Sequence, residues 1–194
     1  MKLLLLFLFC ILAYANSLAQ SKSEVFLMYG YAGNDILMNE DVLGDMGYHG
    51  KAGNMYELSY IRFLNRNLAI ETGVNYSENE VRMTYFPTGV LHSENIRIKM
   101  ISIPVWANFS FLKYWFINAG PLVDFEIKHS PSQSTQDQSG IGLGIGVGAK
   151  YKLGRITFKI NPFIQEHAVV PFLKKQFNEK LIENGVKIGI GYSF

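Results

Sequence analysis

The chain closes on GVKIGIGYSF, Gly185 to Phe194, and the alternation in this stretch decides the fold. Val186, Ile188, Ile190, Tyr192 and Phe194 share one parity, and Lys187, Gly189, Gly191 and Ser193 share the other. Period two over ten residues is the mark of a strand with two unlike faces. Chain ends are usually loose and polar. An ordered, alternating ending whose last residue is a phenylalanine needs a structural reason.

The same pattern recurs backwards along the chain. In GIGLGIGVGAKYKL, Gly140 to Leu153, the face Ile141, Leu143, Ile145, Val147, Ala149 and Tyr151 opposes Gly142, Gly144, Gly146, Gly148, Lys150 and Lys152. Eight such segments are predicted, at 24–31, 54–64, 68–78, 95–111, 115–128, 140–153, 155–167 and 185–194. Their connectors alternate between tight turns and long stretches, the long ones being 32–53, 79–94, 129–139 and 168–184. Sorting of short turns to one rim and long loops to the other is expected of an outer-membrane barrel.

The alternation alone does not set which face is inside. In water the apolar face would point inward, as in a lipocalin-like barrel; in a bilayer it faces lipid. The glycine-rich polar face suits a narrow concave interior. Tyrosines and tryptophans also collect near strand ends, where interfacial girdles form. The expectation is an all-β, antiparallel, up-and-down transmembrane β-barrel of about eight strands, with short periplasmic turns and long extracellular loops.

The amino terminus agrees with this address. Lys2, an apolar run from Leu3 to Ala15 and small residues at Ser17 and Ala19 make residues 1–19 a secretory signal peptide, leaving 20–194 as the barrel domain. Cys10, the single cysteine, lies inside that run, so the exported chain would have no disulfide. A formal charge of +2 and no basic stripe argue against nucleic acid. The closing face Val186, Ile188, Ile190, Tyr192 and Phe194 resembles the signal by which outer-membrane barrels are passed to the barrel-assembly machinery.

The segment IKMISIPVWANFSFLKYWFINAGPLVDFEI, Ile98 to Ile127, resembles the central hairpin of the PorT-like family of small Gram-negative outer-membrane barrel proteins. The residues that carry the likeness are Ile103-Pro104 in one strand and Ala119-Gly120-Pro121 in the next. The resemblance implies an outer-membrane barrel, and a namesake in a protein-secretion apparatus. Strand prolines remove a ladder donor, so an irregularity of the wall is expected there.

Parity predicts a lumen charge network of Glu57, Glu71, Arg97, Lys99, Asp124, Glu126, Lys150, Lys152, Lys159 and Lys187. Buried opposite charges pair, because unpaired ones are costly. About eight strands enclose an interior just wide enough for its own side chains to fill. A filled interior is therefore the plain expectation, and a narrow polar pore the alternative. Arg97 and Lys99 share parity with Ile101, Ile103 and Val105, so a bulge near Pro104 or an apolar lumen patch is needed to reconcile the fourth strand.

His49, His92, His129 and His167 are read as solvated rim histidines, with no metal-ligand spacing or nucleophile motif around them. The acidic loop Asp35, Asn39, Glu40, Asp41, Asp45 does not follow a calcium-loop order. No cofactor and no catalytic role are expected. In PFLKKQFNEKLIEN, Leu173, Phe177 and Leu181 stand at helical spacing, so a short cap and extended strand ends are both open, and Lys174 and Lys175 could meet lipopolysaccharide phosphates. The functional expectation is a surface interaction, adhesion or envelope-stability scaffold acting through its loops on an unidentified partner. A pore or carrier comes second, and a secretion accessory third.

Overall fold

The computed structural model describes residues 23–38, 47–85, 92–128, 137–173 and 179–194. The eight strands are β1 (Ser23–Met38), β2 (Gly47–Phe63), β3 (Leu68–Tyr85), β4 (His92–Phe111), β5 (Trp115–Lys128), β6 (Gly140–Leu153), β7 (Ile156–Pro171) and β8 (Glu179–Ser193). Each pairs antiparallel with its chain neighbour, and β8 returns to β1, closing the barrel. Ser23 and Phe194 exchange backbone hydrogen bonds of 3.1 and 3.0 Å, so the terminal aromatic residue belongs to the seam. Closure removes every free sheet edge, which a bilayer requires.

The glycine-bearing face of β6 points inward. A Cβ on Gly148 would lie 2.6 Å from the Phe116 ring and 2.2 Å from the Ile160 carbonyl oxygen, so the missing side chain makes room for a neighbour's. The outward face carries exposed apolar residues on every strand, among them Leu27, Leu58, Val74, Val105, Ile117, Ile145, Phe158 and Ile188. In water so much exposed apolar surface would be a liability. Against lipid it is the expected wall.

Turns on the short side are built locally. Asn65 Oδ1 accepts from the Asn67 and Leu68 amides at 2.9 and 2.8 Å, and Gly154 takes φ +62° in the β6–β7 turn. At the other rim the strands run further than the alternation suggested. β1 continues to Met38, β3 to Tyr85, β7 to Pro171, and β8 begins at Glu179. Once lipid ends, the outward residues turn polar and the apolar alternation fades, yet the ladder hydrogen bonds persist. The helical cap is corrected for 179–184, which are strand, with Leu181 fully buried inside; Lys174, Lys175 and Phe177 lie outside the described residues, as do residues 1–19 and His129.

The fourth strand corrects the placement of two cations. Its parity runs unbroken, and Ile96, Ile98, Met100 and Ser102 are the inward residues. Arg97 and Lys99 therefore face outward with Ile101, Ile103 and Val105, not into the lumen. Pro104 sits inside, opposite Leu122, and the β3–β4 and β4–β5 registers are the same on either side of it. The one shift between β4 and β5 lies at Lys99/Met100. Neither a bulge at Pro104 nor an inward patch of Ile101, Ile103 and Val105 is needed, because the whole of that parity faces outward and the inward side of β4 is apolar near the long-loop rim.

Candidate functional site

The interior is layered. Nearest the short turns, Lys152 Nζ donates to Ser193 Oγ at 2.6 Å and lies 3.2 Å from Glu24 Oε1. Above it, Lys159 Nζ contacts both oxygens of Glu71 at 2.7 and 2.8 Å, and Asn108 Nδ2 donates to the same carboxylate at 3.0 Å. Phe26 and Phe116 flank this pair, with the Lys159 ammonium 5.5 and 5.1 Å from their ring centres. Lys150 pairs across the ladder with Lys159. Its Nζ has no hydrogen-bond partner among the described residues and rests over Phe63 and Phe116, at 5.3 and 5.1 Å.

Higher up, Lys187 Nζ meets Glu57 Oε2 at 2.7 Å, beneath Phe163 and Met55. The fourth layer is centred on His167. Its Nδ1 stands 3.1 Å from Asp124 Oδ2 and its Nε2 2.9 Å from Glu183 Oε2. With a carboxylate facing each ring nitrogen, the imidazole carries two protons when both acids are ionised. Asn79 and Gln165 also donate to Glu183. Toward the long-loop end the inner face of β1, β3, β4 and β8 carries an apolar cluster of Ile36, Val81, Met83, Ile96, Ile98, Met100 and Leu181. Glu126 lies beside it, accepting from the Gln138 amide at 2.7 Å.

Of the ten residues read into the lumen, the structure thus places Glu57, Glu71, Asp124, Glu126, Lys150, Lys152, Lys159 and Lys187 on the inner face, and Arg97 and Lys99 on the outer. Inner residues that escaped the sequence reading include Glu24, Glu179, Glu183 and His167. Glu183 lies beyond the strand boundary predicted for β8, and His167 was read as a solvated rim residue but is fully buried. The signal for His167 was the parity of the predicted strand itself, since Gln165 and His167 continue the inward series of Lys159, Asn161 and Phe163, whereas Glu183 falls inside only because β8 begins at Glu179. His49 is exposed on β2, and His92 on β4.

Val186, Ile188, Ile190 and Tyr192 form the outward face of β8, and Phe194 follows on the same parity. In the hairpin, Ile103 pairs with Val123 and Ala119 with Ala107, while Pro121 points outward. A Cβ on Gly120 would fall 2.0 Å from the Val105 carbonyl oxygen, so this glycine admits a close approach of β4 to β5. Among the described residues no group of histidine, cysteine, aspartate and glutamate side chains could hold a metal ion.

Solved structures of similar shape are outer-membrane barrels. OprG of Pseudomonas aeruginosa aligns with a TM-score of 0.59 at 12% identity, over 90% of this chain and 96% of that one. Neisserial surface protein A aligns with a TM-score of 0.54 at 15% identity, over 88% and 97%. At these identities the likeness speaks for the fold. A search of curated protein sequences finds no match. The family model described as "Outer membrane protein beta-barrel domain" matches residues 2–194, and the chain belongs to that family of Gram-negative outer-membrane proteins.

Proposed function

We propose that this barrel is an outer-membrane scaffold that works by what its long-loop rim presents, as a surface interaction, adhesion or envelope-stability component, and has no enzymatic role. The observation that carries the reading is the closed interior. Lys159–Glu71, Lys187–Glu57 and Asp124–His167–Glu183 cross the lumen at successive heights, and the apolar cluster lies toward its long-loop end. A conducting path would have to break these contacts layer by layer.

The raised rim supports the same view. β3 continues from Tyr76 to Tyr85 and β4 from Ile101 back to His92, about 30 Å of ladder at roughly 3.4 Å per residue beyond the apolar wall. A rigid platform of this kind holds loops clear of the surface, where binding concentrates. The hairpin of Ile103-Pro104 and Ala119-Gly120-Pro121 supports placing the protein among PorT-like members, where a secretion accessory would show as an export defect on deletion. The same reading takes residues 1–19 as a cleaved signal with Gln20 as the mature amino terminus, which amino-terminal sequencing tests.

The test is electrical. The mature chain in a planar bilayer is expected to be silent, and Lys150→Glu and Glu71→Lys to leave it so when the barrel remains folded. Discrete conductance steps whose ion selectivity shifts with these substitutions would overturn the scaffold reading in favour of a pore.

A further inference from the structure

The outer wall above the lipid is electrically lopsided. Tyr76 and Ile101, register partners on β3 and β4, end the apolar face there, and a tyrosine at that height is a usual interfacial anchor. The next outward rows are Glu78 with Lys99, Glu80 with Arg97 and Arg82 with Asn95. Each row adds two residues of roughly 3.4 Å on a strand tilted about 45°, hence about 5 Å of height. Lys99 and Arg97 so stand about 5 and 10 Å above the last apolar row, within and just above a headgroup layer that adds roughly 5–8 Å to each side of the hydrocarbon.

Above the last apolar row of this β2–β4 wall the outward charges among the described residues are Lys51, Arg82, Arg97 and Lys99 against Glu78 and Glu80, four cations to two carboxylates. Lys51 Nζ occupies Glu80 at 2.7 Å. Arg97 Nε and Lys99 Nζ share a single oxygen of Glu78, at 3.2 and 3.3 Å. One carboxylate cannot neutralise two cations, and Arg97 keeps 62% of its side chain exposed. Among the described residues the β7–β8–β1 wall is the reverse, with Lys180 bound to Glu166 at 2.9 Å and Asp35 exposed, one cation to two carboxylates.

We propose that the β2–β4 wall binds a phosphate of the lipopolysaccharide lipid anchor, with Arg97 and Lys99 as its principal ligands, Arg82 beside them, and Glu78 holding the two cations in register. A guanidinium fork and an ammonium one row apart match the oxygens of a phosphate monoester. The site fixes one rotational face of the barrel against anionic headgroups. It is independent of whatever the loops present.

The test reconstitutes the full mature barrel in phosphatidylcholine nanodiscs, adds bisphosphorylated lipid A, and counts retained lipid by native mass spectrometry. Wild type is expected to retain it, with Arg97→Gln/Lys99→Gln at least tenfold weaker, Arg97→Lys intermediate and Lys180→Gln unchanged. Heat-modifiable gel mobility establishes that each variant is folded, and Arg97→Lys keeps the charge should the double variant not insert. Equal retention by wild type and the double variant would overturn the proposal. So would equal retention of lipid A stripped of its phosphates, or equal competition by phosphatidylglycerol.

Discussion

Lys159 Nζ lies 2.7 and 2.8 Å from the two carboxylate oxygens of Glu71, across the lumen and 88 residues away in sequence. Neither side chain meets solvent. Removing one partner strands the other charge in the interior, at a cost of about 3–5 kcal/mol. Lys159→Met should therefore lower the unfolding free energy by roughly that amount. The double variant Glu71→Leu/Lys159→Met should recover most of the loss, because neither member of the pair is left facing an apolar replacement of the other. Urea titration of folded barrel in bilayers, run as a double-mutant cycle, measures both.

His167 holds two acids apart. In His167→Leu, Asp124 and Glu183 remain buried without the imidazole between them, and the expected loss is again about 3–5 kcal/mol. Adding Glu183→Gln should restore part of it, since Gln165 and Asn79 remain next to the new amide. A thermal unfolding series of wild type and the two variants distinguishes this from a simple cavity, which the second change would not repair.

Gly120→Val should prevent correct closure. Its Cβ would meet the Val105 carbonyl oxygen at 2.0 Å, a backbone atom that cannot swing aside. The expected cost exceeds the ~1–3 kcal/mol of ordinary overpacking. Loss of the compact heat-modifiable band on a gel would report it, whereas Ala119→Val on the outward face should leave that band in place.

Ile145→Arg puts a cation on the lipid face of β6, midway along the apolar series from Ile141 to Tyr151. A cost of about 2–4 kcal/mol is expected there. The same charge at Glu78, above the lipid, should change stability by no more than about 1 kcal/mol. Refolding yields into vesicles measure the difference, and equal costs at the two positions would place the lipid belt elsewhere.

Alternation is written into consecutive residues, because successive side chains on a strand point to opposite faces. That is why eight strands, two kinds of connector and an inward glycine face could be read without coordinates. Boundaries at the long-loop rim could not, since outward residues there become polar while pairing continues. Glu183 was missed for that reason, whereas His167 lay within the predicted seventh segment and was missed because it was read as a solvated rim residue although its parity is the inward one. Arg97 and Lys99 were misplaced for a related one. On β4 the rule that charge points inward fails above the lipid, where water meets the outer wall and apolar residues line the inner face instead.

By itself, then, the sequence determined the period, the strand number, the closing strand and the outer-membrane address, all properties of neighbouring residues and of the chain's ends. Which charges meet was decided by the tertiary structure alone. Glu71 finds Lys159, Glu57 finds Lys187 and Asp124 finds His167 only when eight registers close into one ring, because strand tilt and stagger set the height at which residues far apart in the chain face each other across the lumen.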